Sequence, residues 1–266
     1  MSRAEDIRRV AIDHHHLVAG RFVAEYAALE NSRFSSAFTY GRAKIDKMVD
    51  ELFSALPAGA AILDVGCGTG EHLKRAHGHG LKASGVEPAP AMLKAAEQNV
   101  PDAHVMDGVA TRLPFDDAQF DAVIMIEVLR YLDRTDIERA LKEARRVLRP
   151  GGKLLVTLVN RWALDGFYIH QRLRQALKRS DFNNTNPFCL FHTPGSAERL
   201  LAGAGFANVR TEGRLFGPIR MAYKLSQGFG RRAAQAIEAI DDRVHQAAWT
   251  RPFAGHLIAI GEVPRT

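Results

Sequence analysis

The chain has little cysteine, no long apolar run and no repeats, and each absence excludes a class of protein. Two cysteines in 266 residues, Cys67 and Cys189, supply neither a disulfide framework nor a metal site. No stretch contains the ~18 consecutive apolar residues of a membrane span, and residues 1–9 lack the apolar core of a secretory signal. A cytoplasmic location is therefore expected. No grouping of His, Cys and Asp has ligand spacing, so no metal is expected either. Internal repeats and low-complexity tracts are also missing.

What remains is a globular composition, 46% hydrophobic and 25% charged, with length enough for a full core. The charge is uneven. Residues 1–160 carry 21 positive and 22 negative side chains, whereas residues 161–266 carry 15 and 8. A basic C-terminal part suits an anionic acceptor or surface, although a solvated basic face is the simpler explanation.

The densest information lies in Ile62-Leu63-Asp64-Val65-Gly66-Cys67-Gly68-Thr69-Gly70, an apolar strand entering a glycine turn. Alternating glycines allow positive φ and close approach of a ligand to the backbone. Glu71-His72-Leu73-Lys74 then opens a helix, so strand, turn and helix N-terminus form a nucleotide-type site. The spacing is Gly66-x-Gly68-x-Gly70, and Glu71 occupies the last glycine of the dinucleotide fingerprint. A carboxylate there opposes a pyrophosphate, which argues against a dehydrogenase. Asp64 adds a second carboxylate suited to a cationic ligand.

Strands are expected at 61–65, 81–87, 103–107, 120–126 and 153–159, alternating with helices at 71–77, 89–99 and 136–148. A helix at 196–203, strands at 207–212 and 255–263 and a helix at 231–249 complete the pattern. The reading is an α/β fold with a doubly wound, mostly parallel sheet. It divides into an N-terminal helical extension or lid (1–56), a nucleotide-binding core (57–160), an acceptor-side insertion (161–195) and a C-terminal completion of the sheet (196–266).

Asp64-Val65-Gly66-Cys67-Gly68-Thr69-Gly70 resembles the first motif of class I S-adenosylmethionine-dependent methyltransferases. Leu113-Pro114-Phe115-Asp116-Asp117 and Arg146-Val147-Leu148-Arg149-Pro150-Gly151-Gly152 resemble two further segments of that family. The likeness extends weakly to His192-Thr193-Pro194 and Ala204-Gly205-Phe206, and is greatest to the small-molecule, quinone-biosynthesis branch (methyltransferase type 11). It implies a Rossmann-like sheet of seven strands, S-adenosyl-L-methionine as cofactor and S-adenosyl-L-homocysteine as product.

Cofactor residues follow from the same resemblance. Gly66, Cys67, Gly68 and Gly70 form the turn, with Asp64 behind it. Glu87, at the end of the second strand, has the geometry to accept from both ribose hydroxyls. Pro88 and Met92 lie beside the adenine, Asp107 accepts from its amine, and Gly108-Val109 offer a backbone donor. Ile126 and Glu127 close the cofactor edge; Arg42, near Tyr40, pairs with the methionine carboxylate.

Methyl transfer from a sulfonium is an in-line displacement that depends mainly on positioning, and a base matters when the nucleophile is a hydroxyl or acidic carbon. Candidate bases are Glu127, Tyr131, His192 and the run His14-His15-His16, although three consecutive histidines cannot face one pocket from a helix. His192 is expected at the mouth of the acceptor pocket. Ile126-Glu127-Val128-Leu129 replaces the Asn/Asp-Pro-Pro-aromatic tetrad of nucleobase-methylating enzymes, which disfavours a nucleic-acid acceptor. The expected partner is a small or lipid-like acceptor methylated at O, N or C. The alternatives are a nucleic-acid or protein methyltransferase and a non-catalytic S-adenosylmethionine-binding protein. Trp162, Leu164, Phe167 and Tyr168 ahead of Arg172, Arg174, Lys178 and Arg179 suggest a lid, or second a transient membrane-surface contact. Nothing in the sequence specifies an oligomeric state.

Overall fold

The computed structural model describes residues 3–164, Tyr168 and residues 189–265. Two helices come first, α1 (Arg3–Asn31) and α2 (Ala37–Ser54). The alternating part is β1 (Ala61–Val65), α3 (Glu71–Gly78), β2 (Lys82–Val86), α4 (Pro90–Asn99), β3 (His104–Met106), β4 (Phe120–Met125), α5 (Arg134–Val147) and β5 (Leu148–Asn160). Then come β6 (Phe191–His192), α6 (Pro194–Gly203), β7 (Ala207–Arg214), α7 (Ile219–Leu225), α8 (Gln227–Val244) and β8 (His256–Glu262).

The strands form one sheet in the order β3-β2-β1-β4-β5-β8-β7, with β6 beside β5. Pairings among β1 to β5 are parallel, while β8 runs antiparallel to both β5 and β7. The order reverses between β1 and β4, and a crevice opens at the carboxyl ends of strands at such a point.

Strand periodicity explains the two buried layers. Leu63, Val65, Val123 and Met125 face one cluster with Ile137, Leu141 and Ala144 of α5. Ile62, Ala122 and Ile124 face the other, with Met48 and Phe53 of α2 and Leu73 of α3. Each large aliphatic side chain buried this way contributes about 1.5–3 kcal/mol. The helix α5 buries Ile137, Ala140, Leu141, Ala144 and Val147, a stripe of helical spacing, and its N-cap Asp133 accepts from the Asp136 N–H.

Several boundaries differ from expectation. The fifth strand begins at Leu148, because Gly151 N–H donates to the Val263 carbonyl and Val263 N–H to that of Gly152. An eighth strand, β6, lies inside the expected insertion and pairs with Val159 and Asn160. The expected helix at 231–249 falls on one helix, α8, which starts earlier, at Gln227, and ends at Val244; Ser226, extended at φ −164°, separates it from α7 and caps it by accepting from the Phe229 N–H. No helix among the described residues is long and apolar enough to cross a membrane. Phe167, Arg172, Arg174, Lys178 and Arg179 lie outside the described residues, and with them the insertion helix.

Candidate functional site

The turn after β1 sets the floor of the site. Gly66 and Cys67 both donate to the Val86 carbonyl (2.7 and 3.1 Å), which ties the turn to the end of β2. Gly66 has φ +75°, and a Cβ there would stand 2.5 Å from Val128 Cγ2, so no other residue fits. Around a Cβ at Gly68 the space is open. The cavity above measures about 380 Å³ and runs from Gly66, Cys67 and Gly68 across Glu87, Pro88 and Met92 to Gly108 and Val109. That size suits a small-molecule site.

Glu87 is the buried carboxylate of this floor. One oxygen accepts from the Gly68 N–H (3.0 Å) and the other from the Ala89 N–H (2.9 Å). Burial, helped by the Asp64 and Asp107 carboxylates, pushes its pKa up to about 7 against those two donors. Each oxygen keeps a lone pair for another donor. Asp64, Gly70 and Asp107 stand outside the cavity lining.

Asp64 belongs to a buried charge chain that sequence reasoning missed. His72 Nδ1 lies 3.5 Å from Asp64, and His72 Nε2 lies 3.2 Å from Asp46. Burial is the largest influence on His72 and favours the neutral ring, but the two carboxylates bring its net shift upward. Apart from the long His72 contact, neither Asp64 oxygen has a hydrogen-bond partner among the described residues, so this carboxylate leaves negative charge behind the glycine turn. Arg42 lines the cavity but its Nε already faces Asp46 (3.2 Å), and its guanidinium lies over the Tyr26 ring. Tyr40 is fully buried against Phe34.

Glu127 sits where β4 ends, with φ +62°. Its N–H donates to Thr157 Oγ1 (2.7 Å), whose hydroxyl returns a hydrogen bond to Glu127 Oε1 (3.1 Å). Arg130 and His256, the latter at 3.1 Å, complete the set. Burial opposes ionisation, yet His256 and Arg130 outweigh it and hold the carboxyl well below its usual range. A carboxylate stabilised to that degree is a poor proton acceptor, which argues against the expected role of Glu127 as base.

The other candidate bases separate clearly. Tyr131 lines the cavity, but burial above all raises its pKa and keeps the hydroxyl protonated. His192 is on β6, buried, outside the cavity lining, and pushed down to about 4 by burial alone. It is part of the sheet, on a strand that pairs with Val159 and Asn160 at the carboxyl end of β5, and its side chain does not line the cavity. In the histidine run only His15 lines the cavity; His16 Nδ1 accepts from the Ala91 N–H.

His15 Nδ1 lies 2.7 Å from the Ala11 carbonyl, which only accepts. Nδ1 therefore carries the proton, and Nε2 is the acceptor nitrogen. Burial is the main cause that lowers its pKa and keeps the ring neutral; the Ala11 bond partly offsets it, while His14 and Arg130 add to the lowering. The ring stacks on Phe22 (6.0 Å between centroids) and meets the edge of Tyr131 (5.0 Å). Phe22, Tyr26 and Phe38 form an aromatic wall, closed by Leu215 from the loop after β7 and Ile219 at the start of α7. No local signal marks this wall, since its parts come from α1, α2 and a distant loop.

Comparison with known proteins agrees with this geometry. Residues 63–156 match the family described as a methyltransferase domain. The ubiquinone biosynthesis O-methyltransferase of Azorhizobium caulinodans is 28% identical over 172 residues, covering 63% of this chain and 67% of that protein. An uncharacterized methyltransferase of Mycobacterium tuberculosis is 39% identical over 100 residues, covering 37% of this chain and 40% of its own. The chain thus spans about 40% of the length of the first curated relatives it matches. Among solved structures, a SAM-dependent methyltransferase of Thermotoga maritima, described as a possible histamine N-methyltransferase, superposes with a TM-score of 0.56 at 24% identity, covering 93% of this chain and 98% of that one. That likeness shows the fold.

Proposed function

From the premise that residues 63–156 form a class I S-adenosylmethionine-dependent methyltransferase domain, we propose that this chain methylates a small or lipid-like acceptor at O, N or C, with a hydroxyl oxygen favoured. The observation that carries the reading is one continuous cavity with two unlike halves, the glycine turn with Glu87 on one side and the aromatic wall with His15 on the other.

The cofactor half fits the group. Glu87 accepts from the ribose hydroxyls, and Pro88, Met92 and the Gly108-Val109 backbone flank the adenine. Asp64 and the open face of Gly68 suit the cationic methionine end, while Arg42 with Tyr40 shapes the wall beyond. Ile126 and Glu127 form the edge between the halves. When bound, S-adenosylmethionine supplies an activated methyl on a sulfonium and leaves as S-adenosylhomocysteine.

The chain's own work is alignment and one proton. Phe22, Phe38, Leu215 and Ile219 hold an apolar body and exclude water. His15 Nε2 takes the hydroxyl proton while the acceptor oxygen gains the methyl, so no alkoxide forms in an apolar pocket. On this reading α1 is part of the lid.

Calorimetric titration tests it. S-adenosylmethionine and S-adenosylhomocysteine are expected to bind in the micromolar range, Glu87→Ala to weaken both, and NAD to give no heat. NAD binding with neither sulfur nucleotide bound would reverse the cofactor assignment.

A further inference from the structure

The segment from Gly213 to Ile237 contains no Asp or Glu, although it carries Arg214, Arg220, Lys224, Arg231 and Arg232. Arg214 is buried in an ion pair with Asp241 (3.5 Å), and the other four cations are exposed. Among them stand three large apolar side chains, Met221 (57% exposed), Leu225 (77%) and Phe229 (54%). Met221 and Leu225 are one helical turn apart on α7, and Phe229 follows in the first turn of α8.

The elbow between these helices is anchored by its inner face. Ile219, Ala222 and Tyr223 are the buried face of α7, and the Tyr223 hydroxyl donates to the Phe34 carbonyl (2.9 Å). Gly230 lies flat against the Tyr223 ring, where a Cβ has no room. A fixed inner face forces Met221, Leu225 and Phe229 outward together. The inner face also matters for the site: Gly217 and Ile219 wall the cavity.

We propose that the α7–α8 elbow is a docking surface for an anionic membrane, with Met221, Leu225 and Phe229 entering the interface and Lys224, Arg231 and Arg232 facing acidic headgroups. Protruding apolar groups ringed by cations, in a segment with no carboxylate of its own, match the chemistry of a monotopic contact. A nucleic acid would use the cations but leave three apolar side chains in water, so a lipid surface is favoured. The placement sets the cavity wall beside the bilayer, where a lipid-like acceptor is found. The contact rests on surface chemistry and stands whether or not the transfer reading holds.

The full chain is sedimented with vesicles of phosphatidylcholine alone and of phosphatidylcholine with phosphatidylglycerol, at low and high salt. Binding is expected only with the anionic lipid and is weakened by salt. Lys224→Gln/Arg231→Gln/Arg232→Gln should lower partitioning on the order of a hundredfold. Met221→Ser/Leu225→Ser/Phe229→Ser should abolish sedimentation, with an unchanged melting temperature and unchanged S-adenosylhomocysteine binding. Absence of sedimentation at low salt, equal binding to neutral vesicles, or full binding by the apolar variant overturns the proposal. So does a wild-type dimer in light scattering that the apolar variant dissociates, or retention by RNA in place of vesicles.

Discussion

Cofactor affinity should depend on pH through one residue, Glu87. The carboxyl is buried and its pKa stands at about 7, raised from 4.5 chiefly by desolvation. On the proposed binding mode two ribose hydroxyls donate to it and favour the ionised form, so binding lowers this pKa and releases a proton below pH 7. Affinity should then be flat above about pH 7.5 and fall by up to tenfold for each unit below 7, about 1.4 kcal/mol per unit. Calorimetry in buffers of different ionisation enthalpy reads both the affinity and the proton released.

The same shift acts on stability with the opposite sense. Between about pH 4.5 and 7 the folded chain holds a proton on Glu87 that the unfolded chain has lost. Stability from this group is complete below 4.5 and lost as pH rises through 7, a change of about 3 kcal/mol at most. Glu87→Gln removes both effects. It should bind S-adenosylhomocysteine weakly at every pH yet melt higher than the parent at pH 8. Pseudo-flat affinity from pH 5 to 8 in the parent, or an unchanged pH slope in Glu87→Gln, would refute the assignment of the proton to this carboxyl.

Three further outcomes are expected. His15→Gln should lower the turnover of a hydroxyl acceptor by about 10²- to 10⁴-fold while S-adenosylhomocysteine binding stays as in the parent; equal turnover removes His15 from the chemistry. Gly66→Ala should destabilise the fold and abolish cofactor binding, because its Cβ meets Val128 at 2.5 Å; a melting temperature within a degree of the parent contradicts that packing. Asp46 has its pKa depressed to about 2 because the His72 hydrogen bond and the Arg42 and Arg75 charges outweigh burial, the largest influence. Its share of stability, about 2 kcal/mol, is present above pH 3.8 and lost as pH falls towards 2, so Asp46→Asn should flatten the acid limb of a denaturation profile.

How far the sequence could be read tracks how local each structural cause is. The turn at Gly66, Gly68 and Gly70 and the stripe on α5 are set by neighbours within a few residues, and both are visible as patterns. The strand β6 is two residues long and exists because β5 offers Val159 and Asn160 as an open edge, which no window around Phe191 reveals. The break between α7 and α8 rests on one capping serine in an otherwise helical composition. His15 sits in a run of three histidines whose members differ only in what each one meets: Ala11 and Tyr131 for His15, the Ala91 N–H for His16.

Glu127 carries that argument into the site itself. A strand-end glutamate in sequence looks like a base, and its position beside the cavity supports the idea. Its partners argue against that role, and they come from elsewhere: Thr157 on β5, His256 at the start of β8, and Arg130 in the turn after β4. Together they offset a left-handed backbone that costs about 1–3 kcal/mol for a residue with a side chain. The strain places a fixed negative charge at the border between the cofactor half and the aromatic half. On the proposed reading that charge favours the sulfonium over the neutral thioether, and His15, also on the cavity wall, takes the proton. One acidic group held charged and one histidine held neutral suit the proposed methyl transfer to a hydroxyl.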